Sequence, residues 1–290
     1  MSKAIVIDGN SLVYRTYWAT YKMLNYFKEN NLTPTNAVNL FTKSVLNLFK
    51  NNQYNYAFIA FDHAKQTFRS AMLDKYKANR NPMPDDLRIQ LPMIFRMLES
   101  MGIAFFSKEG YEADDLIGSF CKIMNDTKID VDVFTSDRDM LQLVNNLTTV
   151  NLFKVGVSKV VTYNLSNFSQ LYYGLSPKQV IDYKAIVGDG SDNFPGIKGI
   201  GPKVATQLLL KYITLDNIYV NLDNLSLKQK QLFVNNKDMA YLCYKIATIN
   251  NTLFNIGNLD IFRKKAFNKE KFVLLVNEYK IPSLLNKISK

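Results

Sequence analysis

The chain has 290 residues, 47% of them hydrophobic, enough to bury a full core as one large domain or one domain with a smaller one appended. Its 36 Lys+Arg against 25 Asp+Glu give a net charge of +11, a balance that favours a polyanionic partner such as nucleic acid, though a basic protein without that function can have it too. No run of about 18 apolar residues is present, which argues against a helical membrane span, and Ala4–Ile7 is too short for the apolar stretch of a signal peptide. The two cysteines, Cys121 and Cys243, lie in apolar helical contexts and read as buried free thiols of a reducing compartment, the cytoplasm.

In chain order, Ala4–Ile7, Tyr56–Phe61, Ile103–Phe106 and Val131–Thr135 predict strands, and Val150–Phe153 and Val160–Tyr163 carry a weaker form of the same pattern. Helical periodicity fills Thr35–Phe49 and Asp114–Met124 between them. That alternation implies βαβ units and an α/β fold with a mostly parallel central sheet covered by helices on both faces. The Pro-, Asn- and Lys-rich stretch Ala78–Asp86 breaks the pattern and reads as an exposed excursion. From about Ser176 the strands stop and helices take over, which divides the chain into residues 1–175 and 176–290.

Nine carboxylates then stand out: Asp8, Asp62, Glu112, Asp114, Asp115, Asp137, Asp139, Asp189 and Asp192. Asp8, Asp62 and Asp137 each follow a predicted strand, at the end where open parallel sheets bind ligands. Glu112, Asp114 and Asp115 open the helix after the third strand. Any one of Asp114, Asp115 and Asp139 is explained equally well as a helix cap; the whole set is not. Carboxylates gathered together repel one another and drift toward protonation. Divalent cations remove that conflict, and oxygen ligands without cysteine, beside a lone histidine (His63), suit Mg²⁺ or Mn²⁺ rather than zinc.

The segments Val6-Ile-Asp-Gly-Asn-Ser11, Thr67-Phe-Arg69, Tyr76-Lys-Ala-Asn-Arg80, Gly110-Tyr-Glu-Ala-Asp-Asp115, Thr135-Ser-Asp-Arg-Asp-Met140 and Val187-Gly-Asp-Gly-Ser-Asp-Asn193 resemble the 5′-nuclease family, which includes the N-terminal domain of bacterial DNA polymerase I and the phage flap endonucleases. The resemblance runs from about Ile5 to Ile281-Pro-Ser-Leu-Leu285. It implies a PIN-like, Rossmann-like 5′–3′ exonuclease core in residues 1–175, with an arch over the site at about 68–100. Residues 176–290 would then be a helical DNA-binding subdomain with a helix-hairpin-helix at about 185–211.

Carried over residue by residue, all nine acids match the family's metal ligands. Asp62, Glu112, Asp114 and Asp115 are assigned to one metal, Asp137, Asp139, Asp189 and Asp192 to the other, and Asp8 to metal-bound water; Asp8, Asp62 and Asp115 count as catalytic together with Lys77 and Arg80. Two Mg²⁺ or Mn²⁺ ions would activate water and stabilise the leaving oxygen. By resemblance, Lys77 and Arg80 reach the scissile phosphate. Arg69 and Arg88 hold neighbouring phosphates, and Tyr76 stacks on an unpaired base. Pro82, Pro84 and Pro92 interrupt helix formation, so the arch is expected to order with substrate. Gly196-Ile-Lys-Gly-Ile-Gly-Pro-Lys203 resembles the family's hairpin, which grips duplex DNA and holds K⁺ on its carbonyls; Gly196, Lys198, Gly199, Gly201 and Lys203, with Lys184 on the preceding helix, are the expected phosphate contacts.

The implied function is a structure-specific 5′–3′ exonuclease and flap endonuclease of replication and repair. Its partners would be branched or 5′-ended duplex DNA and RNA–DNA hybrid, with a separate polymerase as a working partner and a monomer as the expected state. Two alternatives stay open at this point: a DNA-structure-binding protein with vestigial chemistry, and a PIN-type RNA nuclease. The complete acidic set opposes the first, and the glycine hairpin the second.

Overall fold

Six strands form one sheet in the order β3-β2-β1-β4-β5-β6: β1 Lys3–Asp8, β2 Tyr56–Ala60, β3 Ala104–Phe106, β4 Asp130–Thr135, β5 Thr148–Val155 and β6 Lys159–Tyr163. The computed structural model describes residues 2–50, 53–63, 66–155 and 159–288. β1 to β5 run parallel, and β6 returns antiparallel to β5. The chain fills one side of β1 with β2 and β3, then crosses to the other with β4. That reversal opens a crevice at the carboxyl ends of β1 and β4.

Strands buried on both faces need apolar residues at successive positions, and β1 from Ala4 to Ile7 and β2 throughout have them. Ala4 and Val6 of β1 join Phe58 and Ala60 of β2 in one core; Ile5 and Ile7 join Ala57 and Ile59 in the other. The first core is closed by the helix Ala113–Asp126 through Leu116, Ile117 and Phe120, and runs on without a break into the C-terminal helices through Ile186, Leu209, Phe233 and Ile246. The second is closed by Asn36–Lys50, Leu91–Ser100 and Lys269–Glu278, the last contributing Phe272, Leu275 and Val276. The division expected at residues 175 and 176 is thus crossed twice by shared core.

Beyond Tyr163 the described residues hold helices and two isolated bridges, Tyr56 with Arg263 and Asp189 with Phe194. Among these residues no helix is long and apolar enough to cross a membrane. Cys121 and Cys243 are buried and unbridged.

Between residues 68 and 100 the chain forms helices at Phe68–Met72, Asp85–Arg88 and Leu91–Ser100, with turns between the first two. Pro92 starts the third helix instead of interrupting it, since the first turn has no use for its missing N–H. The turns are docked rather than free-standing. The Lys77 N–H donates to the Asp192 carbonyl (2.9 Å), and Asn193 Nδ2 to the Lys75 carbonyl (2.7 Å). Lys77 itself lies in the left-handed region (φ 53°), a conformation such contacts must hold.

The helices Gln179–Val187 and Pro202–Tyr212 are joined by the glycine hairpin. Gly188 and Gly196 both have positive φ, 78° and 63°, and a Cβ on Gly196 would lie 2.6 Å from the Ile186 carbonyl oxygen. Gly196, expected to face DNA, is instead buried inside this turn. Ile197 and Ile200 anchor the loop, and Lys198, Gly199, Gly201 and Lys203 remain on the solvent side. Gly196→Ala is expected to lower stability by about 2 kcal/mol or more, whereas Gly201→Ala, with no atom within 4 Å of the new methyl, should shift it by under about 0.5 kcal/mol; urea unfolding midpoints of the two variants check this.

Candidate active site

The sheet register places the first acids side by side. Asp8 pairs with Ala60 on β2, two residues before Asp62, while its neighbour Ile7 pairs with Phe134 on β4, three before Asp137. Asp8 caps the helix Gly9–Ala19, its Oδ1 accepting from the Ser11 N–H (2.9 Å), and its Oδ2 accepts from the Thr135 hydroxyl (2.7 Å). Asp137 likewise accepts from the Asp139 N–H (2.8 Å) at the turn after β4. Asp62 Oδ1 accepts from the Ala113 N–H (2.8 Å), which fixes the start of the helix Ala113–Asp126 against β2.

These elements open a cavity of about 610 Å³ lined by Asp8, Asp62, Asp114, Asp137, Asp139 and Asp189, with Lys77, Arg80 and Lys184 among them. Glu112, Asp115 and Asp192 are buried beneath the lining. Lys77 Nζ stands 3.0 Å from Glu112 Oε1, Arg80 Nη2 2.7 Å from Asp192 Oδ1, and Lys184 Nζ bridges Asp189 (2.6 Å) and Asp139. Among the described residues no three carboxylates converge as a ready-made cage; the cations stand between them.

The capping and site readings divide within one motif. Glu112 is the N-cap and Asp115 the N3 residue that closes the capping box, its Oδ2 accepting from the Glu112 N–H (3.1 Å). Asp114, one position on, faces the cavity. Asp115 was expected to bind metal, yet it is fully buried and paired with Arg69 at 2.7 and 2.8 Å. Arg69 is 2% exposed and offers no face to a phosphate. Tyr76 differs from expectation as well: its ring is buried, not open to a base, and its hydroxyl lies 3.0 Å from Glu112 Oε2. Lys184 is turned into the acids rather than toward duplex. Arg88 pairs with Asp85 on the surface, away from the cavity.

Burial pushes Asp8 up to about 7, with repulsion from Asp62 and Asp137 adding to it against the Ser11 and Thr135 hydrogen bonds. Burial also raises Asp114 and Asp137, which repel each other, while Lys77 and Lys184 pull the other way. Asp189 is the exception: burial is outweighed by Lys184 and the Ser191 hydrogen bonds, which hold it down at about 2. Hard oxygen donors, three of them short of counter-charge, fit divalent cations; Asp62, Asp114, Asp137, Asp139 and Asp189 are placed to hold them.

Asn10, Tyr14, Ser136, Arg138, Tyr172, Tyr173 and Tyr183 also line the cavity and were not anticipated. Asn10 Oδ1 accepts from the Asp62 N–H (3.0 Å), and the rings of Tyr173 and Tyr183 stack at 5.8 Å. No motif marks the tyrosines; they meet only because residues 172–173 and the helix Gln179–Val187 fold onto the same wall.

A raised carboxylate binds its proton more tightly in the folded chain than in the unfolded one, so its contribution falls as pH rises from 3.8 toward 7 for Asp8. Asp189, held down, gives stability already complete above pH 3.8. In EDTA the melting temperature should therefore drop between pH 5 and pH 8 by about 5 °C, and Mg²⁺ should reduce that drop; scanning calorimetry at the two pH values measures both.

Two family descriptions match successive parts of the chain: "5′-3′ exonuclease, N-terminal resolvase-like domain" over residues 3–173 and "5′-3′ exonuclease, C-terminal SAM fold" over residues 175–270. A 5′-3′ exonuclease of Mycoplasma genitalium is 44% identical over 290 residues, all of both chains. DNA polymerase I of Caldicellulosiruptor bescii is 37% identical over 99% of this chain but only 33% of its own length. The phage T5 flap endonuclease, solved as a pseudo-enzyme-product complex with DNA and metal ions, superposes with a TM-score of 0.65 at 18% identity, over 99% of this chain and all of that one. Matched along both its α/β and its helical parts, and over its full length by a close relative, this chain belongs to the 5′-3′ exonuclease family.

Proposed function

We propose that the protein hydrolyses phosphodiester bonds as a Mg²⁺- or Mn²⁺-dependent 5′–3′ exonuclease and flap endonuclease, acting on branched or 5′-ended duplex DNA and on RNA primers annealed to DNA. The observation that carries this reading is the cavity, in which acids from three strand ends, the acidic helix and the Gly188–Asp192 loop meet cations from the arch. Two bound divalent ions would supply an activated water and stabilise the leaving oxygen. Asp62 and Asp114 would hold one, and Asp137, Asp139 and Asp189 the other, with Asp8 fixed in the same cavity by Ser11 and Thr135. Glu112 and Asp192 hold Lys77 and Arg80 at the cavity wall. A phosphate entering there draws both cations from carboxylate to substrate, where they offset the charge that grows on the phosphoryl oxygens.

The exposed Lys198 and Lys203 flank a hairpin whose backbone N–H groups open a helix, a phosphate-binding arrangement that reads shape and not sequence. The hairpin carbonyls would take K⁺. The polymerase I relatives support a role in DNA replication and repair; the reading adds the cytoplasm as the compartment, a separate polymerase as working partner and a monomer as the state.

A 5′-labelled flap on duplex DNA, incubated with Mg²⁺ and with EDTA beside single-stranded and blunt controls, tests the reading. Mg²⁺-dependent release of a short product near the junction is expected; binding without cleavage in either Mg²⁺ or Mn²⁺ would move the protein to the DNA-structure-binding class. Lys77→Ala should lower kcat by about 10²- to 10³-fold with KM within about threefold, measured on the same flap. Lys198→Ala with Lys203→Ala should leave single-turnover cleavage at saturating enzyme intact and flatten the log–log salt dependence of duplex binding by about 1.8, from two contacts of about 0.9 each.

A further inference from the structure

Arg69 and Asp115 form the most enclosed charge pair in the molecule's active-site region, with side chains 3% and 0% exposed, and all three guanidinium nitrogens and both carboxylate oxygens are hydrogen-bonded. Arg69 Nε donates to the Ile246 carbonyl (2.8 Å). Its Nη1 donates to Asp115 Oδ2 (2.7 Å) and lies 3.3 Å from Glu112 Oε2. Its Nη2 donates to Asp115 Oδ1 (2.8 Å) and the Thr248 carbonyl (2.9 Å). Four of the guanidinium's five N–H groups are hydrogen-bonded, and the side chain is 3% exposed with Glu112 beside Nη1, so it offers no open face to a phosphate. Asp115 is equally full: Oδ1 also accepts from the Asn250 N–H (2.8 Å) and Oδ2 from the Glu112 N–H (3.1 Å), which occupies its four lone-pair positions and leaves none for a metal.

We propose that Arg69 is a positioning residue of the reaction, acting with Asp115 as a buried brace that sets Glu112 and Asp114 against the cations of the arch. The pair touches three stretches of chain that sequence separates widely. Arg69 belongs to the helix Phe68–Met72, which leads into Lys77; Asp115 belongs to the first turn that carries Glu112 and Asp114; and residues 246–250 span the end of the helix Lys237–Ala247 of the C-terminal region. Without the brace, the Glu112 N–H loses its acceptor on Asp115 and the Glu112 carboxylate loses the guanidinium beside it. The planar fork is required because two parallel bonds to Asp115 and two carbonyl contacts cannot be made by an ammonium.

The inference rests on the metal-dependent nuclease reading, and its test separates the two. Arg69→Lys, Asp115→Asn and wild type are compared by Mn²⁺ binding without DNA, using electron paramagnetic resonance, by kcat and KM on the flap, and by thermal unfolding. At a temperature where each is folded, both variants should bind Mn²⁺ about tenfold more weakly and lose about 10²-fold in kcat, with KM for DNA within about threefold. Millimolar guanidinium ion should restore part of kcat to Arg69→Ala. If KM rises while kcat and Mn²⁺ affinity hold, Arg69 is a phosphate contact and the brace is wrong. If all three hold and only the unfolding temperature falls, the pair is structural and the proposal fails. Should Arg69→Lys not fold, the near-isosteric Asp115→Asn decides on the same readouts. A wild type that neither binds Mn²⁺ nor cleaves overturns the nuclease reading, and this inference with it.

Discussion

Like charge gathered in a poorly solvated place is the constraint from which the rest of this structure follows. A parallel sheet aligned by its own hydrogen bonds must bring residues at the carboxyl ends of β1, β2 and β4 together, and here those residues are acids. Burial then raises Asp8, Asp114 and Asp137 above the ordinary carboxylate range. Four cations offset the conflict: Arg69, Lys77, Arg80 and Lys184. None of them comes from the strands. Two come from turns after the helix Phe68–Met72, one from that helix and one from Gln179–Val187, so neutralising the sheet end is also what seats the arch and the helical region upon it.

The four cations are graded in accessibility, and the grading sorts them by role. Side-chain exposure is 49% for Arg80, 19% for Lys77, 12% for Lys184 and 3% for Arg69. A cation can exchange carboxylate for phosphate only if water and substrate reach it; removing a buried one leaves an uncompensated charge in low dielectric. Arg80 and Lys77 can turn outward as the proposed substrate arrives. Arg69 cannot, and Lys184, bridging Asp139 and Asp189, neutralises two of the acids that would hold a divalent cation.

The sheet and its acids were legible because their signals are local. Strands buried on both faces are apolar at every position, and a carboxylate after such a run lies at the sheet's binding end in any register. What escaped is set by distant contacts. Arg69 and Tyr76 stand in an arch-like, basic context that reads as substrate-facing, yet their partners are Asp115, Glu112 and Asp192, and the first of these ties runs on to Ile246 and Thr248, 177 and 179 residues away. Gly196 looks like its hairpin neighbours in sequence; the close approach of the backbone from Ile186 to Gly188 distinguishes it. Within Asp114-Asp115, the capping box decides which acid turns inward, and that follows from helix geometry once the start of the helix is known.

The hairpin is joined to the acid cluster by backbone rather than by side chains, and this bears on how DNA shape would be measured. The Ile197 N–H donates to the Ile186 carbonyl (2.8 Å), Asp189 and Phe194 form an isolated bridge, and Gly188 and Gly196 pack too closely to accept a side chain. Asp182 accepts from the Leu215 N–H, and Gln179 donates to the carbonyls of Leu209 and Ile213, so both helices flanking the hairpin are locked to each other. The distance from Asp189 in the cavity to the exposed loop at Lys198 is therefore fixed by the fold. In the proposed reading, a duplex seated on the hairpin presents its 5′ strand to the acids at one set offset. Cleavage position would then follow from where the duplex ends, with no base needing to be read.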